Sequence, residues 1–269
     1  MHTAERSRDC YTTGVTRVGD DRVSKFVGRT AAVEFQKSQF VAEALRDSRF
    51  SAPAALCYDE ATGCVEFEYI HNTVRLFDLM AAAHDAQQFD IVAKCNAAAG
   101  ELLATLHRKL HLPSAVAWQP PDSLARAIRR AGYDWSREPQ VALHCDFSPV
   151  NVLVKPGGEL VLIDASPNQY FTDRADLVGS PLIDVATYTV KLNWPFRLRT
   201  YSRTWRAMGR KLRSEFIGSY ERESATRVDR GLLAVLERGI VRSVVSRKRG
   251  AGAILPVALI LTRIALPRS

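Results

Sequence analysis

The residues of this chain that are best suited to chemistry lie between His144 and Asp164. One string, HCDFSPVNVLV, carries His144, Asp146 and Asn151, and a second string, LVLIDASPN, carries Asp164. Carboxylate and amide oxygens are the ligands that Mg²⁺ takes from proteins, usually at few positions. A carboxylate on a loop can also orient a hydroxyl group and accept its proton. These residue types therefore indicate a metal-assisted reaction at a hydroxyl group.

Asn151 and Asp164 are thirteen residues apart, so a turn must bring them together. Residues 150–154 and 160–163 have the composition of two short strands, and the string KPGG can form the turn between them. In a β-hairpin, a residue that enters the first strand and one that leaves the second lie at the same end. We therefore expect Asn151 and Asp164 to meet at one metal cluster, with Asp146 on the loop that leads into the hairpin.

The two strings resemble the catalytic loop of kinase-like phosphotransferases, H-x-D-x-x-x-x-N, followed one hairpin later by a metal-binding Asp. They are more similar to the aminoglycoside phosphotransferase family, whose strings read H-G-D-x-x-x-x-N-V-L and I-D. A conventional protein kinase has Arg and D-F-G where this chain has Cys145 and the string DAS. The resemblance covers roughly residues 22–190. It implies that Asp146 is the catalytic base, that Asn151 and Asp164 bind Mg²⁺, and that ATP or GTP is the phosphoryl donor.

The same resemblance assigns Lys25, in the string RVSKFVG, to the phosphates of the nucleotide. A glutamate on the following helix should hold this lysine in place. Two candidates lie on the helix predicted over residues 30–46, Glu34 near its start and Glu43 further on. Spacing favours Glu43, and Glu34 remains the alternative.

Backbone groups of the segment from Glu68 to Ile70 resemble the hinge that meets the purine base in this family. His144 corresponds to a buried support of the catalytic loop. Asp184, in the string PLIDVATYT, resembles the Asp that begins a helix of the large lobe and braces the same loop.

The order of elements predicts an α+β, two-lobed protein-kinase-like fold. Residues 1–70 read as strand, strand, helix, strand, strand, which makes an abbreviated β-rich nucleotide lobe without a G-x-G-x-x-G loop. Residues 71–269 read as a mostly helical lobe that carries the catalytic loop and binds the acceptor. Apolar periodicity predicts buried faces on two of the helices, at Val33, Phe40, Ala44 and Leu45 and at Ile91, Cys95, Ala98, Leu102, Leu103 and Leu106.

Composition limits the partners and the location of the protein. The net charge of +8 favours an anionic partner. The five cysteines include no CxxC pair and are typical of free thiols in a reducing compartment. The N-terminus has no apolar signal core, and the apolar run 251–266 contains Pro256 and Arg263 and is too short to span a membrane, so we predict a cytoplasmic protein. This run follows a basic cluster at 242–249, and the two together can either rest on the inner face of a membrane or form a helix packed on the large lobe.

The implied acceptor is a small molecule, sugar or glycan. A polycationic aminoglycoside would require an acidic cleft, whereas the segment after residue 181 is basic, so we expect a neutral or anionic acceptor. Its basic residues are Lys191, Arg197, Arg199, Arg203, Arg206, Arg210, Lys211 and Arg213. They can equally form a solvated helix face. We do not expect nucleic acid as a partner, because the arginines have no aromatic residues interleaved with them on a strand platform and form no recognisable docking motif. The alternative function is a kinase-fold module that binds nucleotide and regulates a partner without turnover.

Overall fold

The computed structural model describes residues 14–86, 89–113, 115–165, 176–192 and 203–247. Its N-terminal part contains four antiparallel strands and one helix in the predicted order. The strands pair in the order β1-β2-β4-β3, and the helix α1 packs against β3 and β4. These elements are β1 (Val15–Val18), β2 (Arg22–Phe26), α1 (Ala31–Leu45), β3 (Ala55–Asp59) and β4 (Cys64–Glu68).

The turn before α1 is tied to the turn between β3 and β4. The amides of Val27 and Gly28 both donate to the carbonyl oxygen of Gly63, at 2.8 and 3.0 Å. Gly63 has a φ of 67°, and a Cβ on it would lie 2.8 Å from the Cα of Gly28. Only glycine fits this close approach, which fixes where α1 leaves the sheet.

The remaining elements are mostly helical, as the sequence predicts, with two small sheets among them. One sheet has the order β5-β8-β9 and the other β6-β10-β7. The strands are β5 (Val74–Arg75), β6 (Val116–Ala117), β7 (Val141–Ala142), β8 (Val152–Val154), β9 (Leu160–Leu162) and β10 (Leu177–Gly179). The helices are α2 (Leu76–Ala86), α3 (Phe89–Lys109), α4 (Asp122–Arg130), α5 (Leu182–Leu192), α6 (Arg203–Ser224) and α7 (Arg230–Arg247).

No helix among the described residues is both long enough and apolar enough to cross a bilayer. The apolar run 251–266, with Lys248 and Arg249 before it, lies outside the described residues. Contact between this tail and a membrane therefore stays a prediction.

The core of the large lobe is built on the contact between α3 and α6. Gly100 of α3 faces the backbone of Phe216 and Tyr220 on α6. Next to this contact, the rings of Tyr188 and Phe216 stack with centroids 3.9 Å apart, and Phe147 lies 5.4 Å from Tyr188. Because Phe147 follows Asp146, this aromatic stack packs against the loop that carries Asp146. The prediction that Ile91 lies on the buried face of α3 is wrong, since its side chain is 59% exposed.

We expect Gly100→Ala to destabilise the protein, although alanine favours an isolated helix by about 1 kcal/mol. A Cβ at Gly100 would collide with the carbonyl oxygen of Phe216 and lie 2.9 Å from the amide nitrogen of Tyr220. Forcing two packed backbones apart should lower the free energy of unfolding by about 2–4 kcal/mol, measured by chemical denaturation. The matched control is Gly218→Ala on α6, where the new Cβ meets only Arg222 Nη1 at 3.4 Å. Equal effects of the two substitutions would contradict this account of the interface.

Candidate active site

The hairpin of β8 and β9 brings Asn151 and Asp164 to one end, as predicted. Val152 pairs with Leu162, and the amide of Ile163 donates to the carbonyl oxygen of Asn151 at 2.9 Å. Asn151 ends a short 3₁₀ turn just before β8, and Asp164 leaves β9 with a φ of 59°. This left-handed backbone is uncommon for Asp and turns the chain out of the strand at the site.

Asp146 hydrogen-bonds to the hairpin through Asn151 and to α5 through Lys191. The side-chain amide of Asn151 donates to the carbonyl oxygen and to Oδ2 of Asp146, at 2.9 Å each. Oδ1 of Asp146 accepts a hydrogen bond from Lys191 Nζ at 2.7 Å. Burial raises the pKa of Asp146, and the negative charge of Asp164 also raises it, while Lys191 opposes the shift. The structure thus brings together the three residues of the predicted reaction centre.

The loop that carries Asp146 is held by a buried carboxylate of α5. Asp184 has no solvent exposure, and its two oxygens accept the amides of His144 at 2.7 Å and Cys145 at 2.9 Å. His107 Nε2 lies 3.1 Å from Asp184 Oδ2, and His107 Nδ1 lies 3.0 Å from the hydroxyl of Tyr220. Burial by itself would raise the pKa of Asp184, but hydrogen bonds with His107 and the loop amide outweigh it and lower the pKa. The predicted bracing role of Asp184 is confirmed.

Cys145 stands where the resembling H-G-D string has glycine, and its backbone conformation gives the reason for that glycine. Its φ is 75°, in the left-handed region that glycine adopts without cost. The carbonyl oxygen before it, on His144, accepts a hydrogen bond from the buried Lys37 Nζ at 2.8 Å. Lys37 and Asp184 therefore hold the two sides of one peptide unit, which keeps the loop in this conformation. Burial raises the pKa of the Cys145 thiol to about 11, so this thiol is protonated and unreactive.

Lys25 of β2 links the small sheet to the hairpin. Its Nζ lies 2.5 Å from Glu34 Oε1 and 2.6 Å from Asp164 Oδ1. Burial would lower the pKa of Lys25, but the charges of Asp164 and Glu34 outweigh it and raise the pKa. The lysine is therefore charged and joins the two lobes at the reaction centre.

The prediction that Glu43 pairs with Lys25 is wrong. Glu43 is exposed and pairs with Arg46, whereas Glu34 is buried against Lys25. The two glutamates are nine residues apart, which is two and a half helical turns, so they lie on opposite faces of α1.

The apolar stripe predicted for α1 is only partly correct, because charged residues share its buried face. Ala44 and Leu45 are buried as predicted, but Glu34 and Lys37 are buried with them. Val33 and Phe40, predicted to be buried, are 37% and 38% exposed. The signal that could have found the correct face is the three-residue spacing of Glu34 and Lys37, two charges that can both reach inward.

The predicted hinge leaves β4 at Glu68. The amide of Glu68 donates to Ala54 at 3.0 Å and that of Tyr69 to Asp21 at 2.9 Å, so both belong to the sheet. The amide of Ile70 is not part of these bonds and lies two residues beyond the end of the strand. A cleft between the sheet and the hairpin is lined by Ala52, Phe67, Ile163 and Asp164, among others. The assignment of Glu68 and Ile70 to the nucleotide stays a prediction.

The donor set at the hairpin fits Mg²⁺. Asn151 donates through its amide nitrogen, which leaves its amide oxygen as a hard ligand beside the carboxylate of Asp164. Among the described residues, no group of three or more His, Cys, Asp or Glu side chains could hold a metal by itself. Two protein ligands are consistent with a cation whose remaining coordination positions are filled by phosphate oxygens and water.

Comparison with known proteins places the fold. No family model matches the sequence, and no curated protein matches it. A glucosamine kinase, solved with glucosamine, ADP and inorganic phosphate, aligns with a TM-score of 0.66 at 15% identity, over 93% of this chain and 78% of that one. The chain has the fold of the aminoglycoside-phosphotransferase and protein-kinase-like superfamily. This confirms the predicted two-lobed α+β class.

Two further structures with this kinase-like fold align over most of their length. A choline/ethanolamine kinase family protein from Mesorhizobium loti has a TM-score of 0.55 at 16% identity, over 96% of this chain and 88% of that one. An aminoglycoside-3'-phosphotransferase of type VIII has a TM-score of 0.55 at 16% identity, over 86% and 88%. Identities this low establish the shared fold and leave the chemistry to be argued from the site.

We expect Glu34→Gln and Glu43→Gln to have different effects on stability. Glu34→Gln leaves the buried Lys25 with one carboxylate instead of two and should lower the free energy of unfolding by about 1–3 kcal/mol. Glu43→Gln, the matched control on the exposed face, should change it by less than about 0.5 kcal/mol. Urea denaturation of both variants measures this, and a larger loss for Glu43→Gln would contradict the pairing.

The stability of the protein should depend on the protonation of His144. Burial and the charge of Lys37 lower the pKa of His144 to about 4 in the folded chain. In the unfolded chain the same side chain has a pKa of about 6.5 and therefore binds its proton at higher pH. The free energy of unfolding therefore falls as pH decreases through this window, by about 2 kcal/mol at pH 5 from this group. In His144→Asn, whose side-chain oxygen can replace Nδ1 as acceptor for the Asp146 amide, we expect a correspondingly smaller loss between pH 7 and pH 5. Identical pH dependence of wild type and variant in urea denaturation would refute the prediction.

Proposed function

We propose that the protein is an enzyme that transfers the γ-phosphoryl group of ATP or GTP to a hydroxyl group of a small molecule, sugar or glycan. The observation that carries this proposal is the meeting of Asp146, Asn151 and Asp164 at one end of the β8–β9 hairpin. Lys25 reaches the same point from the other lobe. A phosphotransferase needs a base, oxygen ligands for metal and a cation for phosphate, and these residues supply all three.

Each residue has a role that follows from its position. Lys25, held by Glu34 and Asp164, binds the phosphates of the nucleotide. Asn151 and Asp164 supply oxygen ligands to Mg²⁺, which when bound neutralises charge on those phosphates. Asp146 orients the acceptor hydroxyl for in-line attack and accepts its proton.

The acceptor is more consistent with a neutral or anionic molecule than with a polycation. Lys191 contacts Asp146 directly, so a positive charge stands where an amine-rich acceptor would have to approach. Two cations of α6 are paired elsewhere, Lys211 with Asp90 and Arg213 with Glu237. The positive charge of Lys191 beside Asp146, and not the basic composition of the whole segment, supports a neutral or anionic acceptor.

We expect binding and turnover to separate cleanly in two variants. Asp164→Asn should abolish the rise in melting temperature that Mg²⁺ with ATP or GTP produces in wild type, because it removes the charged metal ligand. Asp146→Asn should keep that rise and lose about a hundredfold or more of the nucleotide hydrolysis rate, because it removes only the base. Asp90→Asn, at a side chain that is 92% exposed, is the control and should behave as wild type.

A wild-type protein that no nucleotide stabilises, with or without Mg²⁺, would refute the proposed function. Metal-independent binding without hydrolysis would instead favour a kinase-fold module that holds nucleotide and regulates a partner.

A further inference from the structure

The helix α5 presents three residues to the catalytic loop from one face. Asp184, Tyr188 and Lys191 are separated by four and three residues, the spacing that aligns side chains on one side of a helix. Asp184 holds the backbone of the loop, Tyr188 packs on Phe147, and Lys191 reaches Asp146. One helix therefore positions the backbone of the loop, packs against Phe147 and places a cation beside Asp146.

Lys191 is placed at the part of Asp146 that faces an acceptor. Asn151 holds Oδ2 of Asp146 at 2.9 Å, and we place an acceptor hydroxyl on Oδ1, which can accept a second hydrogen bond. Lys191 Nζ already lies 2.7 Å from Oδ1. Both side chains are 21% exposed, so the pair is open to a ligand and not sealed in the core.

The geometry around one carboxylate oxygen brings Lys191 close to the reacting atoms. Two groups that hydrogen-bond to the same oxygen lie about 4–5 Å apart. An acceptor hydroxyl on Oδ1 would therefore have the ammonium group of Lys191 beside it. The phosphoryl group that bonds to this hydroxyl extends further into the same space, within reach of the flexible lysine side chain.

We propose that Lys191 is a catalytic residue that donates a hydrogen bond to the phosphoryl group during transfer, from the acceptor side of the site. In this step the acceptor oxygen forms a bond to the γ-phosphorus, and the bond to the bridging oxygen breaks with its electron pair leaving on the nucleoside diphosphate. The hydroxyl proton goes to Asp146. Lys191 keeps its protons and stabilises negative charge on the phosphoryl oxygens. This inference rests on the proposed kinase function.

The arrangement gives each side of the transfer its own lysine–aspartate pair. Lys25 with Asp164 lies on the nucleotide side, and Lys191 with Asp146 lies on the acceptor side. Lys25 comes from the small sheet and Lys191 from the large helical part. Because the three equatorial oxygens of the phosphoryl group carry its negative charge, between the attacking and the leaving oxygen, a cation on each side stabilises it during the transfer.

The test compares Lys191→Met, which removes the charge, with Lys191→Arg, which keeps it. Water serves as the acceptor, so the full-length protein is assayed for Mg²⁺-dependent ATP hydrolysis without an identified substrate. We expect Lys191→Met to lower kcat about a hundredfold with KM for Mg²⁺-ATP within about threefold of wild type, and Lys191→Arg to recover a substantial part of kcat. Lys211→Met, at a lysine on α6 that is 51% exposed, should behave as wild type.

A second readout separates catalysis from structure. Mg²⁺-ADP alone should raise the melting temperature of Lys191→Met as in wild type, but the additional rise with aluminium fluoride, which mimics the flat phosphoryl group, should be lost. Lys191→Gln provides a second uncharged variant if Lys191→Met folds poorly, and it should show the same selective loss.

The outcomes distinguish the role of Lys191 from the proposed function. Wild-type kcat and a wild-type aluminium fluoride effect in the uncharged variants would overturn the role of Lys191 and leave the kinase proposal intact. Loss of the ADP effect together with the aluminium fluoride effect would also overturn it, because Lys191 would then support the nucleotide site. A wild-type protein that neither binds nor hydrolyses nucleotide would overturn both proposals.

Discussion

The buried contact between Asp184 and the backbone of the catalytic loop is the constraint on which the rest of the site depends. A carboxylate without solvent exposure is costly unless it is fully hydrogen-bonded, and Asp184 is satisfied by two loop amides and by His107. Its pKa is lowered in spite of burial, so the charge persists. Because the amides belong to His144 and Cys145, the carboxylate fixes the backbone that immediately precedes Asp146. The positive φ of Cys145 is held in the same way.

The site is otherwise a balance of charges contributed by distant segments. Asp146, Asp164 and Glu34 are negative, and Lys25 and Lys191 lie between them at hydrogen-bonding distance. The two lysines come from β2 and α5, so these ion pairs join the small sheet, the hairpin and the large helical part. Lys37 adds a fourth link, from α1 to the carbonyl of His144.

The shared fold occurs in proteins that are named for different acceptors. The solved neighbours include kinases of glucosamine and of choline or ethanolamine, and an aminoglycoside phosphotransferase, all at 15–16% identity to this chain. A fold supports many substrates, so the acceptor has to be argued from the residues near Asp146. One of these residues is Lys191, at the last turn of a helix whose first turn holds the loop.

The sequence by itself determined the local parts of this protein. The strings around Asp146 and Asp164 predicted the hairpin and the meeting of Asn151 with Asp164, because a hairpin relates its two ends by a simple rule. The element order likewise predicted the two-lobed α+β fold, and the string around Asp184 predicted its bracing role. Tertiary structure decided which face of α1 is buried, and so selected Glu34 over Glu43. It also decided that Lys191, one basic residue among many in the sequence, lies at Asp146. These choices depend on which charges meet across the lobes, and hydrophobic periodicity carries no information on charges that are buried because they are paired.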